Sequence, residues 1–237
     1  MTSPSPAKEQ NAYVASHVGL LRSHNEDACA VSSVAERVTE WTGPISSRDG
    51  WALVADGLGG HAAGEIASAL AIEIMRPLMS TLQSEEDIHD AVNTADAGLF
   101  MAMEMRPELH GLGTTIAGVL LRPGKAITFN AGDSRCYVFK RGALTQVSVD
   151  DRMKGGGLLQ CLGGFQEPVP MYVHTHSVQG DATILLCSDG LSDLVADNEI
   201  CSILSSPAAN PAQALVDAAL KAGGNDNVTV VVIESSS

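Results

Sequence analysis

The apolar positions of the chain follow two periods, which separate predicted strands from predicted helices. Short apolar runs bounded by turn residues predict strands at 12–18, 28–31, 51–55, 114–121, 126–131, 135–139, 143–147, 171–177, 183–187 and 228–233. Apolar residues at helical spacing predict helices after Gly60 and at 85–105, 197–205 and 211–222. Pro77 is a candidate end or kink of the first helix. Residues 32–49 show no clear period and are interpreted as a loop.

The order of these elements predicts the fold class. The strands between 114 and 147 are joined at Arg122-Pro123-Gly124 and Lys140-Arg141-Gly142, which is typical of an antiparallel meander. Strands, a helix pair, more strands, another helix pair and a final strand predict an α+β domain whose helices cover antiparallel sheets. No internal repeat or linker is found, so residues 12–237 are predicted to form a single domain. The polar, proline-bearing residues 1–11 are predicted to be disordered.

Aspartates lie directly before or after several predicted strands. Asp56, Asp133 and Asp189 each follow a strand, whereas Asp27 and Asp226 each precede one. A lone Asp-Gly pair is typical of a simple turn, so it is the repetition that favours a functional site. Because the start of an antiparallel strand lies beside the end of its neighbour, these carboxylates can all gather at one edge of the sheets.

Such a cluster predicts a cation. Uncompensated carboxylates at close range repel one another or take up protons. Hard oxygen ligands suit Mg²⁺ or Mn²⁺, and the sequence has no Cys/His cluster typical of zinc. Acidic ligands spread along the chain indicate a binuclear site, in which carboxylates bridge ions about 3.5–4 Å apart and a water is activated between them.

Charge and composition argue against several other classes of protein. The formal net charge of −14 and the lack of a basic run argue against nucleic acid as a partner. The five cysteines form no CxxC pair and are interpreted as buried thiols. The first residues do not resemble a signal peptide, and no apolar run approaches the ~18 residues of a membrane span. We expect a cytoplasmic protein with no membrane partner.

Six motifs, in order, carry a resemblance to a known family. They are Arg22-Ser23-His24-Asn25-Glu26-Asp27, Asp56-Gly57-Leu58-Gly59-Gly60-His61, Gly113-Thr114-Thr115, Gly132-Asp133-Ser134-Arg135, Ser188-Asp189-Gly190-Leu191-Ser192-Asp193 and Asp226-Asn227-Val228-Thr229. From about residue 13 to 233 the chain resembles the metal-dependent PP2C-type (PPM) serine/threonine protein phosphatases. The resemblance implies a central antiparallel β-sandwich flanked by helix pairs, in four α-β-β-α layers. It also implies hydrolysis of phosphoserine and phosphothreonine by a metal-bridging water, without a phosphoenzyme.

The resemblance further implies the ligands of two tightly bound Mn²⁺ or Mg²⁺ ions. Asp56 would bridge both ions, and the Gly57 carbonyl would bind one of them. Asp189 and Asp226 would hold the first ion. Two neighbouring acids, Glu26 and Asp27, would contact the second ion directly or through water.

Other matched positions would act on the substrate. Arg22 would bind the substrate phosphate, because a guanidinium fork fits phosphate oxygens bidentately. The alternative for Arg22 is a plain surface arginine. His61 resembles the family's proposed general acid, but extra glycines precede it, and a structural histidine at a helix start is the equal alternative.

A third, weaker ion is the last site that the resemblance implies. Asp133 and Asp193 match positions that hold it together with Asp189. A spacing of four on a helical turn would put Asp189 and Asp193 on one face, and such extra carboxylates would repel one another without a further cation. The alternative for Asp133 is a turn-capping residue.

The chain departs from the family pattern at the mobile flap. Val149 to Met153 leads through three glycines almost directly to Leu158, so the flap is predicted to be short or missing. This compact form resembles short bacterial members, some of which oppose a serine/threonine kinase in secretion-system control. We therefore expect phosphoprotein substrates, a cognate Ser/Thr kinase as antagonist, and a monomer.

Two other functions remain open at this point. A catalytically dead pseudophosphatase would serve as a binding module, and the loss of a core ligand would favour it, but none is lost. A hydrolase of small phosphoesters gains slight support from the reduced flap.

Overall fold

The computed structural model describes residues 9–34, 37–58, 62–155, 157–164 and 173–234. The strands in these ranges are β1 (Glu9–His17), β2 (Asp27–Val31), β3 (Glu40–Ser46), β4 (Trp51–Leu58), β5 (Gly113–Thr114), β6 (Ile116–Arg122), β7 (Lys125–Ala131), β8 (Arg135–Lys140), β9 (Ala143–Gln146), β10 (Leu162–Gly163), β11 (His174–Gln179), β12 (Thr183–Cys187) and β13 (Val228–Ile233). The α-helices are α1 (Ala62–Met79), α2 (Glu85–Met105), α3 (Asp189–Ser192), α4 (Asp197–Ser205) and α5 (Pro211–Lys221), and a 3₁₀ turn covers Pro107–Leu109.

The strands form two antiparallel sheets. The first has the order β3-β1-β13-β12-β8-β9, and the second has the order β10-β5-β4-β6-β7-β11, with β2 paired to β4. Side chains alternate along the central strands, because successive residues of a strand face opposite sides of a sheet. In β4, Leu53 faces helices α1 and α2, whereas Val54 faces the other sheet. In β13, Val231 faces the other sheet and Val232 faces helices α4 and α5.

Three apolar cores therefore separate four layers. One lies between the helix pair α1–α2 and the second sheet, one lies between the sheets, and one lies between the first sheet and α4–α5. This arrangement confirms the predicted α+β fold with α-β-β-α layers. Within the described ranges, no helix combines the length and the apolar character that crossing a membrane would require.

Helices α1 and α2 were both predicted as helices from the sequence. Their ends depend on one capping residue and one proline. Ser84 caps α2 as predicted: its side chain accepts from the Asp87 amide, and the Asp87 side chain accepts from the Ser84 amide. Pro77 neither ends α1 nor starts a new element. It lies two residues before the final Met79, so the lost hydrogen bond falls within the last turn of the helix.

The interpretation of residues 32–49 as a loop is wrong, because β3 lies within it. Among the described residues, this strand is at the edge of the first sheet and has β1 as its single pairing partner. It contains Gly43 and Pro44, which disfavour strands in general, but an edge strand tolerates a proline. The strand conformation of β3 depends on pairing with β1, so its own sequence shows only a weak strand pattern.

The meander prediction is also wrong, since the chain changes sheets after β7. Strands β6 and β7 pair in the second sheet, whereas β8 pairs with β9 and β12 in the first. The crossing occurs at Gly132, whose φ of 101° favours glycine. Its Cβ, if present, would also lie 2.7 Å from the Thr115 side chain. This crossing brings Asp133 to the seam between the sheets.

At the amino terminus, β1 begins at Glu9, so residues 9–11 of the predicted disordered segment are strand. The rest of that segment lies outside the described residues. The single-domain boundary at residue 12 stays a prediction.

Candidate active site

The centre of the site is a pair of aspartates that face each other across two strands. Asp27 is paired with Asp56 in the β2–β4 register. Both have the same parity as Cys29 and Val54, whose side chains lie between the sheets. Ser188, at the end of β12, donates from Oγ to Asp27 Oδ2 at 2.8 Å. Asp27 Oδ1 is buried and has no hydrogen-bond partner among the described residues, so one carboxylate oxygen is available to a cation.

Two threonines hold the backbone of Asp56. Thr114 Oγ1 donates to the Asp56 carbonyl at 2.8 Å, and the Thr115 amide donates to the same oxygen at 2.9 Å. Thr115 Oγ1 accepts from the Asp56 amide at 3.1 Å and lies 2.6 Å from Ser134 Oγ. The motif Gly113-Thr114-Thr115 thus fixes the main chain at the point where Asp56 leaves the sheet, a role that the sequence did not indicate.

Close backbone packing surrounds Gly57 and Glu26. A Cβ on Gly57 would lie 2.1 Å from the Gly64 carbonyl oxygen, and a Cβ on Gly64 would lie 2.4 Å from Glu26 Oε2. The Glu26 carbonyl accepts from the Gly57 amide at 3.2 Å and from Ser68 Oγ at 2.6 Å. Glycines are therefore needed for α1 to lie against the end of β4, and they bring Glu26 to the site.

Arg22 and Asp226 form the exposed rim. Arg22 Nη2 lies 2.6 Å from Asp226 Oδ2, with side-chain exposures of 49% and 38%. Asn227 holds the two segments together: Nδ2 donates to the Val18 and His24 carbonyls at 2.9 Å each, and Oδ1 accepts from the Glu26 amide at 2.8 Å. The structure thus places Arg22 beside Asp226, while its role stays a prediction, and it shows Asn227 as a positioning residue that sequence reasoning missed.

A second group of carboxylates surrounds Arg152. Its Nε donates to Asp133 Oδ2 at 2.5 Å, and its Nη2 donates to Asp189 Oδ2 at 2.9 Å. Asp193 receives bonds from Nη1 at 3.1 Å and from Nη2 at 3.0 Å. Helix α3 is a single turn that places Asp189 and Asp193 together, as their spacing predicted.

The sequence argument held that Asp133 and Asp193 would repel Asp189 without a further cation, and it predicted a third Mg²⁺ or Mn²⁺ there. In the structure the Arg152 guanidinium supplies a positive charge at this position, and the third ion stays a prediction. Sequence reasoning gave Arg152 no role. A signal was available, because Arg152 is the first cation after Asp150 and Asp151 in the shortened flap, but nothing along the chain shows which acids it meets.

Burial and mutual repulsion shift the acids of the site. Burial, opposed by hydrogen bonds and reinforced by Asp189 and Asp226, raises the pKa of Asp27 to about 7. Burial, then the charges of Asp133 and Asp193, raises the pKa of Asp189 to about 6, although Arg152 opposes the shift. Burial and the charge of Asp27 raise the pKa of Asp56 well above its ordinary value. Burial and repulsion therefore favour the protonated forms of Asp27 and Asp56 unless cations compensate their charges.

The donor set fits hard divalent ions in its chemistry but is not preassembled. Within the described ranges, no three His, Cys, Asp or Glu side chains form a ready group for a metal ion. Arg22 and Arg152 instead bond to Asp226, Asp133, Asp189 and Asp193. The free oxygen of Asp27, the all-oxygen ligands and the raised pKa values nevertheless suit Mg²⁺ or Mn²⁺.

Comparison with known proteins decides the family. Residues 23–222 of this 237-residue chain match the family Protein phosphatase 2C. The chain belongs to the protein phosphatase 2C family. This confirms the resemblance that the six motifs indicated.

Curated members of the phosphatase 2C family resemble this chain over most of its length. It is 33% identical over 242 residues to the serine/threonine protein phosphatase PstP of Mycobacterium tuberculosis, which covers 91% of this chain and 43% of that protein. It is 28% identical over 244 residues to the serine/threonine phosphatase stp of Listeria monocytogenes, covering 91% of this chain and 92% of that protein. The chain thus spans less than half the length of the first relative.

A solved phosphatase 2C structure has the same fold. The catalytic domain of PstP in complex with 2 manganese ions matches with a TM-score of 0.78 and 31% identity, and the match covers 97% of this chain and 100% of that chain. This relative of the same fold thus binds manganese ions.

Most residues predicted for the phosphatase 2C site meet in the structure. The charges of Asp27, Asp189, Asp133 and Asp226 all act on Asp56. His61 lies outside the described residues, so its role stays a prediction.

Proposed function

We propose that this chain hydrolyses phosphoserine and phosphothreonine on proteins with the help of two Mn²⁺ or Mg²⁺ ions. The observation that carries the proposal is the Asp27–Asp56 pair, held in register between the sheets with one carboxylate oxygen unsatisfied. Further support comes from the names of the relatives, which are serine/threonine phosphatases, and from the manganese ions of the related structure.

The proposed ligands are those that the family resemblance implies, and the placement of their strand ends supports them. Asp56 would bridge the ions, Asp189 and Asp226 would complete the first, and Asp27 would hold the second. The Gly57 carbonyl and Glu26 lie at the same end of β4 and would add oxygen ligands. When bound, paired divalent ions supply a nucleophilic water at neutral pH and neutralise the charge of the phosphate.

The role proposed for Arg22 is to anchor the substrate phosphate. Its side chain is half exposed at the rim, and its bond is to Asp226, a proposed metal ligand. Partial burial acts to lower the pKa of Arg22, but the hydrogen bond to Asp226 and the negative charge of Asp226 outweigh burial. The net effect raises the pKa, so the guanidinium stays charged. If Asp226 turns to a metal ion, the Arg22 fork becomes available for two phosphate oxygens.

Proton delivery to the leaving oxygen would depend on other groups. Asp133, Asp189 and Asp193 would hold a third, weakly bound Mg²⁺ or Mn²⁺, which would supply a positioned water for this proton. This proposal rests on the family resemblance and on the placement of the three carboxylates around Arg152. His61 is the alternative general acid, proposed on the family resemblance alone.

The proposed setting is bacterial signalling, in which the enzyme acts as a cytoplasmic monomer and opposes a cognate Ser/Thr kinase. The relatives that support it are bacterial serine/threonine phosphatases. In this setting the substrates are phosphoproteins.

A side-by-side assay tests the proposed function. Phosphopeptides, nucleotides and an aryl phosphate are offered to metal-stripped protein, with and without Mn²⁺. We expect turnover of phosphopeptides that needs the metal and that excess EDTA abolishes. Faster turnover of the small esters would favour the small-phosphoester alternative, and no turnover at all would favour the pseudophosphatase. Full activity in stripped protein would exclude the metal mechanism.

A further inference from the structure

Arg152 joins three carboxylates that no strand register holds together. Its three nitrogens make four hydrogen bonds to Asp133, Asp189 and Asp193. The Arg152 side chain is 32% exposed, whereas Asp133 beneath it is 8% exposed. The guanidinium therefore covers Asp133, and it bonds to oxygens of all three carboxylates.

The turn that carries Arg152 has its own hydrogen bonds. Arg152 pairs with Leu158 in an isolated bridge, and the Met153 amide donates to the Gly157 carbonyl at 3.0 Å. The Leu159 amide donates to the Asp151 carbonyl at 2.6 Å. Met153 and Leu159 are exposed apolar residues on this turn. These bonds are local, and the described ties between the turn and the acidic pocket run through the Arg152 side chain.

The base of the turn is anchored separately by Asp151. Its Oδ2 accepts from the Gly132 amide at 2.9 Å and from Gln160 Nε2 at 2.7 Å. Its Oδ1 lies 3.0 Å from His174 Nε2, and its amide donates to the Gly132 carbonyl at 3.0 Å. The base can therefore stay in place when the tip of the turn loses its contact with the pocket.

We propose that Arg152 and a third divalent ion are alternative occupants of the pocket formed by Asp133, Asp189 and Asp193. Binding of the ion displaces the guanidinium and releases the turn that carries it, while Asp151 keeps the base fixed. The inference rests on the proposed function for the third ion. Its physical basis is that Arg152 bonds to Asp133 Oδ2, Asp189 Oδ2 and both oxygens of Asp193, and a divalent ion brought to the same oxygens would repel the guanidinium.

The coupling works in both directions, because two mutually exclusive contacts are linked by one free energy. A phosphoprotein that contacts Met153 or Leu159 and draws the turn outward strengthens binding of the third ion by the same factor.

The first test compares Arg152→Gln with Lys154→Gln by calorimetric titration of Mn²⁺ into metal-free protein. Lys154 is an exposed cation two residues further along the same turn, so its variant is a matched control for net charge. We expect Arg152→Gln to bind the weakest ion about tenfold more tightly than the wild-type protein, since roughly one or two exposed ion pairs no longer compete. Lys154→Gln should behave as wild type, and Arg152→Lys, which keeps a smaller cation and guards against misfolding of the glutamine variant, should lie between.

The second test follows hydrogen exchange of individual amides during the same titration. The Met153 and Leu159 amides should exchange faster once the weakest ion saturates, while the Gly132 and Asp151 amides stay protected. In Arg152→Gln the turn amides should exchange fast before metal is added.

Three results would overturn the inference: equal affinity for the weakest ion in Arg152→Gln and Lys154→Gln, a turn that stays protected at saturation, or no third ion in either variant. Phosphopeptide turnover with Mn²⁺ would then still support the proposed function. Conversely, ion-linked release of the turn without phosphatase activity would contradict the proposed function alone.

Discussion

The two halves of the site hold carboxylates in different ways. Asp27 and Asp56 lie on neighbouring strands, and the backbone register and the Ser188 hydroxyl fix them. Asp133 and Asp189 lie on a turn and on a four-residue helix, and the side chain of Arg152 gathers them. The first half is thus positioned by the backbone, and the second is positioned by one side chain, which we propose that a third ion displaces.

The largest effect is expected at the backbone-held half. Asp56→Asn removes the charge that would bridge both ions but keeps the size of the side chain and the bonds from Thr114 and Thr115 to its backbone. We expect turnover of a phosphopeptide to fall to background and tight Mn²⁺ binding to weaken, with little change in melting temperature. Wild-type turnover in this variant would show that Asp56 is not a metal ligand.

A smaller effect is expected at the half that Arg152 holds. In Asp133→Ala and in Asp193→Ala, kcat should fall roughly a hundredfold, the lower range of what positioned proton transfer contributes. Both tight ions should remain countable by calorimetry, because neither residue belongs to the binuclear pair. If either variant keeps wild-type kcat at saturating Mn²⁺, the third ion has no catalytic part.

Arg22 at the rim should affect substrate binding more than rate. In Arg22→Ala we expect KM to rise about tenfold, equivalent to ~1.4 kcal/mol, with a smaller change in kcat. Arg22→Lys should restore only part of this, because an ammonium cannot form the bidentate fork. The matched control is Arg48→Ala, on the loop between β3 and β4. An unchanged KM in both Arg22 variants would mean that the phosphate is held elsewhere.

The last comparison distinguishes the halves by pH. Burial raises the pKa of Asp27 from 3.8 to about 7, so between these values the folded protein holds a proton that the unfolded chain has lost. This stabilises metal-free protein at low pH, and the contribution is lost as pH rises through about 7. Each pH unit in that window corresponds to ~1.4 kcal/mol per proton, or about 2–4 °C in melting temperature.

Calorimetric scans of metal-free protein from pH 5 to pH 8 check this trend. Asp27→Asn should remove a large part of it. Asp133→Asn should remove less, because Arg152 partly offsets the effect of burial on the pKa of Asp133. Saturating Mn²⁺ should abolish the trend, since the ions compensate the carboxylates. A melting temperature that rises with pH in metal-free protein would contradict the assignment of Asp27 as a buried, protonated acid.

Local patterns in the sequence were sufficient for much of the fold. The predicted ends of four elements agree with the structure, namely those of β12, β13, α2 and α4. The ends of these elements depend on the apolar period and on capping residues only a few positions away in the sequence. The acids of the site were also predicted, since Asp27, Asp56, Asp189 and Asp226 each stand where a predicted strand begins or ends. Antiparallel pairing alone then implies that they meet at one edge.

Tertiary contacts decided the rest. β3 became a strand only by pairing with β1, and the crossing at Gly132 moved β8 into the other sheet. Ser188 meets Asp27 across 161 positions of the chain, and Arg152 meets Asp189 across 37 and Asp193 across 41. The sequence by itself determined which acids and which arginines are present and where strands present them. Which arginine covers which acids depends on the path of the turns between strands, and no local period records that path.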